Sequence, residues 1–477
     1  MKATLIIALL VSISAFGQGV VSRIYPMPLS LLENRTLQQH TGISPAIRQT
    51  ANQSKEVDGV FKPIDHFFRV RFSPDLASQY DTSLYYRAAV GFTVESLYKN
   101  KLYTRTLVTS GWSNREGVNQ THAAFSPLHT RDAFIYTNIR TRIGYTPNKY
   151  LHIAAGIDNQ FFGEGHRSLI QSDQSAPNPF AMMRVNVWRF EYGLLYQFFH
   201  ENRADSRYWK FGATHYLSYN VTKRFNIGFF ETVLFQPKDG NFNRAFEVEY
   251  LNPLVFFRPQ EYSIGSSDNV LLGLQLSYSF KKHTIYGQAL LDEFLLKEIR
   301  ARSQWWANKY GAQLGIKGKI KNISYRVEAN LMRPYTFSHI NDGQNGGNQG
   351  RPIAHPLGSN FAELLAQVNI PIGKGFYCNA YTVFQLKGLD EGTLSWGGDI
   401  YQSYSSHPLE YDNTIGQGVT QRTFRLGCQL TYSLYKLDCM LYIDPQIAVH
   451  WGDLPSVVTP AITVGWRSNL FQNRRSF

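Results

Sequence analysis

The chain has 477 residues, with 48 lysines and arginines against 35 acids and a formal net charge of +13. Only 17% of residues are charged and 14% are aromatic, whereas a soluble globular chain carries about 25% charge; three cysteines exclude a disulfide scaffold. The basic excess forms no cluster, which in an exported chain argues against nucleic acid and leaves anionic lipid or an acidic surface polymer as the partner it would attract.

In chain order, the first element is an export signal. Lys2 supplies the positive end, Ala3 to Phe16 is largely apolar, and Ala15-Phe16-Gly17 offers small residues for cleavage before Gln18. Residues 1–17 are therefore expected to be removed, and no cysteine follows to take a lipid. The apolar run is too short to span a membrane as a helix, for which about 20 residues are needed. Residues 18–60 are predicted to form a short periplasmic segment, with weak helical character at Leu31–Gln39 and Ile47–Lys55.

Residues 61–477 are expected to form one barrel domain, and from about Pro63 to Arg467 one unit repeats: an alternating apolar and polar run, a turn, and another such run. The short turns fall at Tyr98–Lys101, Pro147-Asn148, Thr222-Lys223, Lys281-Lys282, Ile320-Lys321, Gly373-Lys374 and Tyr435-Lys436. The other ends are joined by long segments at 113–132, 161–180, 236–267, 335–360 and 389–420. Short turns on one side and long loops on the other are the signature of a transmembrane antiparallel β-barrel, with the long loops extracellular and Lys99, Lys149, Lys223, Lys282, Lys321, Lys374 and Lys436 at the periplasmic rim. The fold class is thus all-β, in the outer membrane.

The rhythm gives about eighteen strands, with sixteen as the alternative. They lie near 63–73, 83–98, 101–112, 133–146, 149–160, 181–188, 190–199, 208–221, 224–235, 268–280, 283–296, 305–319, 322–334, 361–372, 375–388, 421–434, 437–450 and 456–467. One face of each is apolar, as in Leu84, Tyr86, Ala88, Val90, Phe92 and Val94, or Phe424, Leu426, Cys428, Leu430, Tyr432 and Leu434. In a barrel that face meets lipid. Arg87, Arg140, Arg142, Arg184, Glu191, Arg326 and Glu328 lie on the opposite faces, where ion pairs would cross the lumen. With Tyr435-Lys436 as the turn, Cys428 falls opposite Ile443 and Cys439 opposite Tyr432, a diagonal placement unsuited to a bridge. Free thiols are expected.

The densest polar segment runs from Phe161 to Asp173, reading Phe-Phe-Gly-Glu-Gly-His-Arg-Ser-Leu-Ile-Gln-Ser-Asp. It resembles the motif of the Wzi-type capsule-assembly family, outer-membrane barrels that act as lectins for capsular polysaccharide. Glu249–Pro253, Arg258–Ser263, Gly287–Phe294, Trp306–Gly311, Arg333–Thr336 and His355–Phe361 resemble the Bacteroidetes, RemB-like branch of that family, which carries a gliding-motility label. The resemblance implies an eighteen-stranded barrel. It also implies a non-enzymatic protein that binds surface polysaccharide and takes part in capsule or exopolysaccharide attachment. The alternative it carries is a structural component of a gliding-motility or protein-export complex.

A glycan site needs aromatic faces for sugar rings and amide, acid or guanidinium groups for hydroxyls and uronates. The candidates are His166, Arg167 and Asp173 in one loop, Arg258, Glu261 and Tyr262 in another, and Trp396, Tyr401, Tyr404 and His407 in the last. Expected partners are membrane lipid and lipopolysaccharide, surface polysaccharide, and an outer-membrane lipoprotein or secretion or gliding proteins. His166 and Ser168 share a face if the segment is a strand, the spacing of a histidine and a serine in some outer-membrane phospholipases. A nucleophile, however, needs a base within reach and a third orienting group, so no catalytic residue is assigned. The thirteen histidines are scattered, and Asn341–Asn348 lacks the closing glutamate of a calcium loop. No metal or cofactor is expected.

Overall fold

The computed structural model describes residues 66–81, 83–99, 101–114, 128–129, 134–148, 150–203, 206–222, 224–239, 242–243, 250, 268–373, 375–434 and 439–468. The expected signal and N-terminal segment lie outside these residues, as do most of the loops at 114–133 and 236–268.

Eighteen antiparallel strands close into a barrel. Strand β1 comes in two pieces, Phe67–Phe72 and Asp75–Tyr80, which pair in one register with the next strand across the break at Ser73-Pro74. Then follow β2 (Leu84–Tyr98), β3 (Leu102–Ser113), β4 (Phe134–Tyr145), β5 (Leu151–Asp158), β6 (Asn178–Val187), β7 (Phe190–Arg203), β8 (Ser206–Asn220) and β9 (Phe225–Phe235). The second half holds β10 (Asn269–Phe280), β11 (His283–Leu291), β12 (Tyr310–Ile320), β13 (Ile323–Met332), β14 (Phe361–Gly373), β15 (Phe376–Leu389), β16 (Val419–Leu434), β17 (Cys439–Gly452) and β18 (Val457–Ser468). β1 pairs with β18 from Asp75↔Arg467 to Tyr80↔Ile462, which leaves no open edge. A closed sheet satisfies every ladder group internally, the condition for strands to cross lipid.

The faces fall as the alternation predicts. Val90 and Phe92 on β2, and Phe424, Leu426 and Leu430 on β16, point outward and are exposed, while Thr93, Glu95, Thr423 and Gln429 are buried inside. Exposed aromatics gather at the short-turn end: Tyr98, Tyr145, Trp188, Phe190, Tyr278, Phe376 and Tyr432. Phe190 stacks on Tyr219 at 4.7 Å and Phe376 lies 4.5 Å from Tyr432. These rings form the interfacial girdle of a membrane barrel. An apolar wall on a closed barrel of this size makes the protein an outer-membrane β-barrel.

Three details differ from the sequence reading. β11 stops at Leu291 and β12 starts at Tyr310, so a sixth long loop, 292–309, opens where alternation seemed to continue. It holds a short helix, α1 (Leu296–Ala301). The ladder ends there because Asp292 and Glu293 turn to Lys309, at 3.7 and 3.1 Å. The β16–β17 register is also wider by two than expected: Leu434 pairs with Cys439 and Leu430 with Ile443. This removes Cys439 further from Cys428, whose thiol instead lies 3.1 Å from Cys378 on β15.

The third detail is a correction. Gly163–Asp173, expected outside with the other long loops, is drawn into the lumen. Charge and apolarity both pull it there. Lys317 on the inner face of β12 donates to the Glu164 carboxylate at 2.6 Å, and Arg167 pairs with Glu363 on β14 at 3.1 Å. Phe162, Leu169 and Ile170 join Phe337, Ile353 and Ala354 of the 333–360 loop in one buried cluster with Phe199, Tyr216, Phe230 and Leu290 of the wall. Ser172 N–H donates to Ile353 O at 2.8 Å, tying the two loops together.

Inner-face tyrosines lie across glycines of the neighbouring strand. Tyr286 faces Gly315, Tyr381 faces Gly427 and Tyr442 faces Gly465. A Cβ at Gly315 would come within 2.4 Å of the Tyr286 ring. Gly315→Val is therefore expected to expel that ring and cost about 1–3 kcal/mol, the usual penalty for overpacking. The measurement is the temperature at which the barrel loses its compact migration on unboiled gels; no change would show that the ring is free to move aside.

Candidate functional site

Across the inner wall from β10 to β15, six polar residues stand directly opposite one another: Gln275, Gln288, Gln313, Asn330, Glu363 and Gln385. This belt grips the inserted loop. Gln288 accepts from Leu169 N–H at 2.8 Å and donates to Phe162 O at 3.0 Å. Gln313 donates to Arg167 O at 3.0 Å. One step from the belt, Glu328 accepts from the backbone N–H groups of His166 and Arg167 at 2.6 and 2.9 Å and from Tyr286 Oη at 2.7 Å. Glu363 accepts from Arg167 and Gln385, and His355 Nε2 lies 3.0 Å away.

His166 and Arg167 are thus buried structural members of the lumen, and Asp173 is partly exposed beside Gln174. Ser168 Oγ donates to Phe162 O at 2.6 Å and accepts from the N–H groups of Ile170 and Gln171. Those bonds close a turn; the segment is not a strand, so the shared face that suggested a catalytic pair does not exist.

The long-loop rim carries a different grouping. Trp306 stacks on His407 with centroids 4.4 Å apart, and its ring lies 4.9 Å from Tyr404 and 5.8 Å from Tyr335. Trp305 adjoins it at 6.1 Å and donates its indole N–H to Glu410 at 2.6 Å. Lys309 lies 4.6 Å over the Tyr404 ring. The hydrogen bond from Trp305 and the contact with His407 hold the exposed Glu410 carboxyl below its ordinary range. The 292–309 and 390–418 loops thus present a half-buried aromatic surface edged by an ionised carboxylate.

Of the other expected residues, Tyr404 and His407 belong to this cluster. Trp396 is half-buried and structural: its backbone N–H donates to Asp390 at 2.6 Å and its carbonyl accepts from Asn360 and Gln417. Tyr401 is buried, its hydroxyl donating to Arg351 O at 3.2 Å. Arg258, Glu261 and Tyr262 lie outside the described residues. Trp305, Trp306 and Glu410 were not anticipated as site residues. Adjacent tryptophans cannot both face lipid on a strand, and that was the available signal.

A small pocket of about 250 Å³ sits nearby, lined by Pro352, Leu357, Lys387, Asp390, Asp399 and Tyr401 among others. It falls below the roughly 300–1,000 Å³ of ligand clefts, and Lys387 is held by the carbonyls of Leu357, Ser359 and Gly398. The open aromatic face is the better ligand surface.

His339 underlies the cluster, 6.1 Å from Tyr404. Burial first, and the Lys309 ammonium second, push its ring down to about 4. A histidine kept neutral by folding costs stability as pH falls from about 6.5, where the unfolded ring charges. Wild-type protein should therefore lose stability between pH 6.5 and 4 relative to His339→Gln, measured by thermal unfolding at each pH. Parallel profiles would remove the histidine from this role.

The chain is similar in structure to Wzi of Escherichia coli, described as an outer-membrane protein involved in group 1 capsule assembly and a carbohydrate-binding β-barrel. The two share 11% identity over 93% of this chain and 98% of that one, with a TM-score of 0.55. OprD of Pseudomonas aeruginosa matches 84% of this chain and 94% of its own at 7% identity and a TM-score of 0.47. At such identity the likeness to Wzi shows the fold alone. No protein-family model matches the chain, and no curated protein matches it in sequence.

Proposed function

We propose that this outer-membrane barrel is non-enzymatic and that its long-loop end faces outward, binds surface polysaccharide and takes part in attaching capsule or exopolysaccharide. The observation that carries the reading is the Trp305, Trp306, Tyr404 and His407 surface beside Glu410. Sugar rings present apolar C–H faces that pack on aromatic rings, while their hydroxyls take hydrogen bonds from flanking polar groups. A lumen occupied by two loops suits a binding protein better than a conduit. Wzi, similar in fold, is a carbohydrate-binding barrel, which agrees with this reading. Residues 1–17 act in it as the export signal and 18–60 as a periplasmic segment.

The test is binding of the source strain's purified capsular glycan to detergent-solubilised protein, together with capsule retention in a deletion strain. Undetectable binding and normal retention would defeat the reading. A second reading, a structural component of a gliding-motility or protein-export complex, is favoured by exposed Leu394, Leu409 and Tyr411 on the same loop. Affinity purification from outer membrane would then recover stoichiometric partners.

A further inference from the structure

Beyond the end of β11 the chain keeps presenting apolar side chains outward. Phe294, Leu295, Leu296 and Ile299 are 39%, 45%, 50% and 42% exposed, and α1 buries none of its residues. At about 100° per residue Leu296 and Ile299 share one arc, with Leu295 just ahead of the first turn, Arg300 borders that arc and Lys297 lies on the far side. Arg302 closes the helix in the left-handed region at φ 55°.

This is a tied segment. Asp292 N–H donates to Lys309 O at 3.0 Å, Leu295 N–H to Asn308 Oδ1 at 2.7 Å, and Arg302 N–H to Ile299 O at 3.2 Å. Four large apolar side chains are therefore held about half exposed in a fixed geometry, which water disfavours. Two features say what covers them. The patch continues the lipid-facing wall, since outward-facing Ala289 on β11 is exposed below it and Leu314 on neighbouring β12 is 66% exposed. Arg300 stands at its margin, Lys297 on the polar side of the helix and Arg302 at its end, all exposed and long enough to reach headgroups above the apolar layer.

We infer that residues 294–302 form an interfacial anchor seated in the outer leaflet. Phe294, Leu295, Leu296 and Ile299 enter the acyl boundary, and Lys297, Arg300 and Arg302 bind phosphate groups of that leaflet's glycolipid. The inference rests on the long-loop end facing outward, and does not depend on the glycan reading. Its partner is a lipid phosphate; the proposed polysaccharide surface is a separate face of the same loop system.

The test is native mass spectrometry of the full chain released from nanodiscs containing either bisphosphorylated lipid A or its dephosphorylated form. Wild type should retain the phosphorylated lipid several-fold more, and K297S/R300S/R302S should lose that preference while still migrating as a folded barrel on unboiled gels. Hydrogen exchange supplies a second readout: L295N/L296N/I299N should raise exchange across 294–302 in nanodiscs and leave the strands protected. Equal retention of both lipids by wild type, or an unchanged preference in the triple serine variant, would overturn the inference. Glycan binding should be unaffected by the serine variant, so the two readings fail separately.

Discussion

Arg167→Ala should destabilise the folded barrel by about 3 kcal/mol, the lower end of the cost of breaking a buried ion pair. Both side chains of the Arg167–Glu363 pair are wholly buried, so removing the guanidinium leaves a carboxylate with no water to replace it. The loss stays at the lower end because Gln385 and His355 still reach Glu363. The double variant Arg167→Met, Glu363→Met should recover most of the stability, since an apolar pair of similar volume leaves no orphaned charge. Unfolding temperature on unboiled gels reads both. Adding Glu328→Ala to Arg167→Ala removes the acceptor of two backbone N–H groups as well, and the loop then loses its hold on β13 and β14. Conductance in planar bilayers should rise well above that of wild type. A double variant as silent as the parent would show that the loop does not close the lumen.

The second large effect is on ligand. Trp306→Ala removes the ring that His407, Tyr404 and Tyr335 all pack against, and the binding of surface polysaccharide should weaken at least about tenfold, or about 1.4 kcal/mol. Trp306→Phe retains an aromatic face and should lose only a few-fold. The discrimination matters because a general loss of loop structure would affect both alike. Isothermal titration of the solubilised variants with the purified glycan separates the outcomes. Equal affinities for alanine and wild type would place the ligand elsewhere.

The eighteen strands were legible because period-two alternation and lysine-bearing turns are local properties. Even the 181–199 hairpin, weakly marked in the sequence, is present as β6 and β7, joined at Trp188-Arg189. What the sequence concealed is register and destination. Gln275, Gln288, Gln313, Asn330, Glu363 and Gln385 are unremarkable one by one and become a belt only when six strands are aligned. Gly163–Asp173 reads as an outside loop because its length and glycines are those of a surface segment. Its inward course is dictated by Lys317, Glu328 and Glu363, whose side-chain direction follows from pairing with strands far away in the chain. The 292–309 loop was missed for a similar reason: Leu295 falls in phase with the outward-facing Ala289 and Leu291 of β11, while the pull of Lys309 on Asp292 and Glu293 acts from the far end of the loop.

The grip on Gly163–Asp173 also sets an order of events during biogenesis. Glu328 follows the Arg167 amide by 161 residues, and Glu363 follows its guanidinium by 196. A nascent chain that has delivered only its first nine strands carries the loop with neither acceptor yet available. The latch sets when β13 and β14 join, so the occupied lumen is a late product of assembly and reports that the second half has arrived. A chain truncated before β13 would keep this loop open to protease, and the intact one would not.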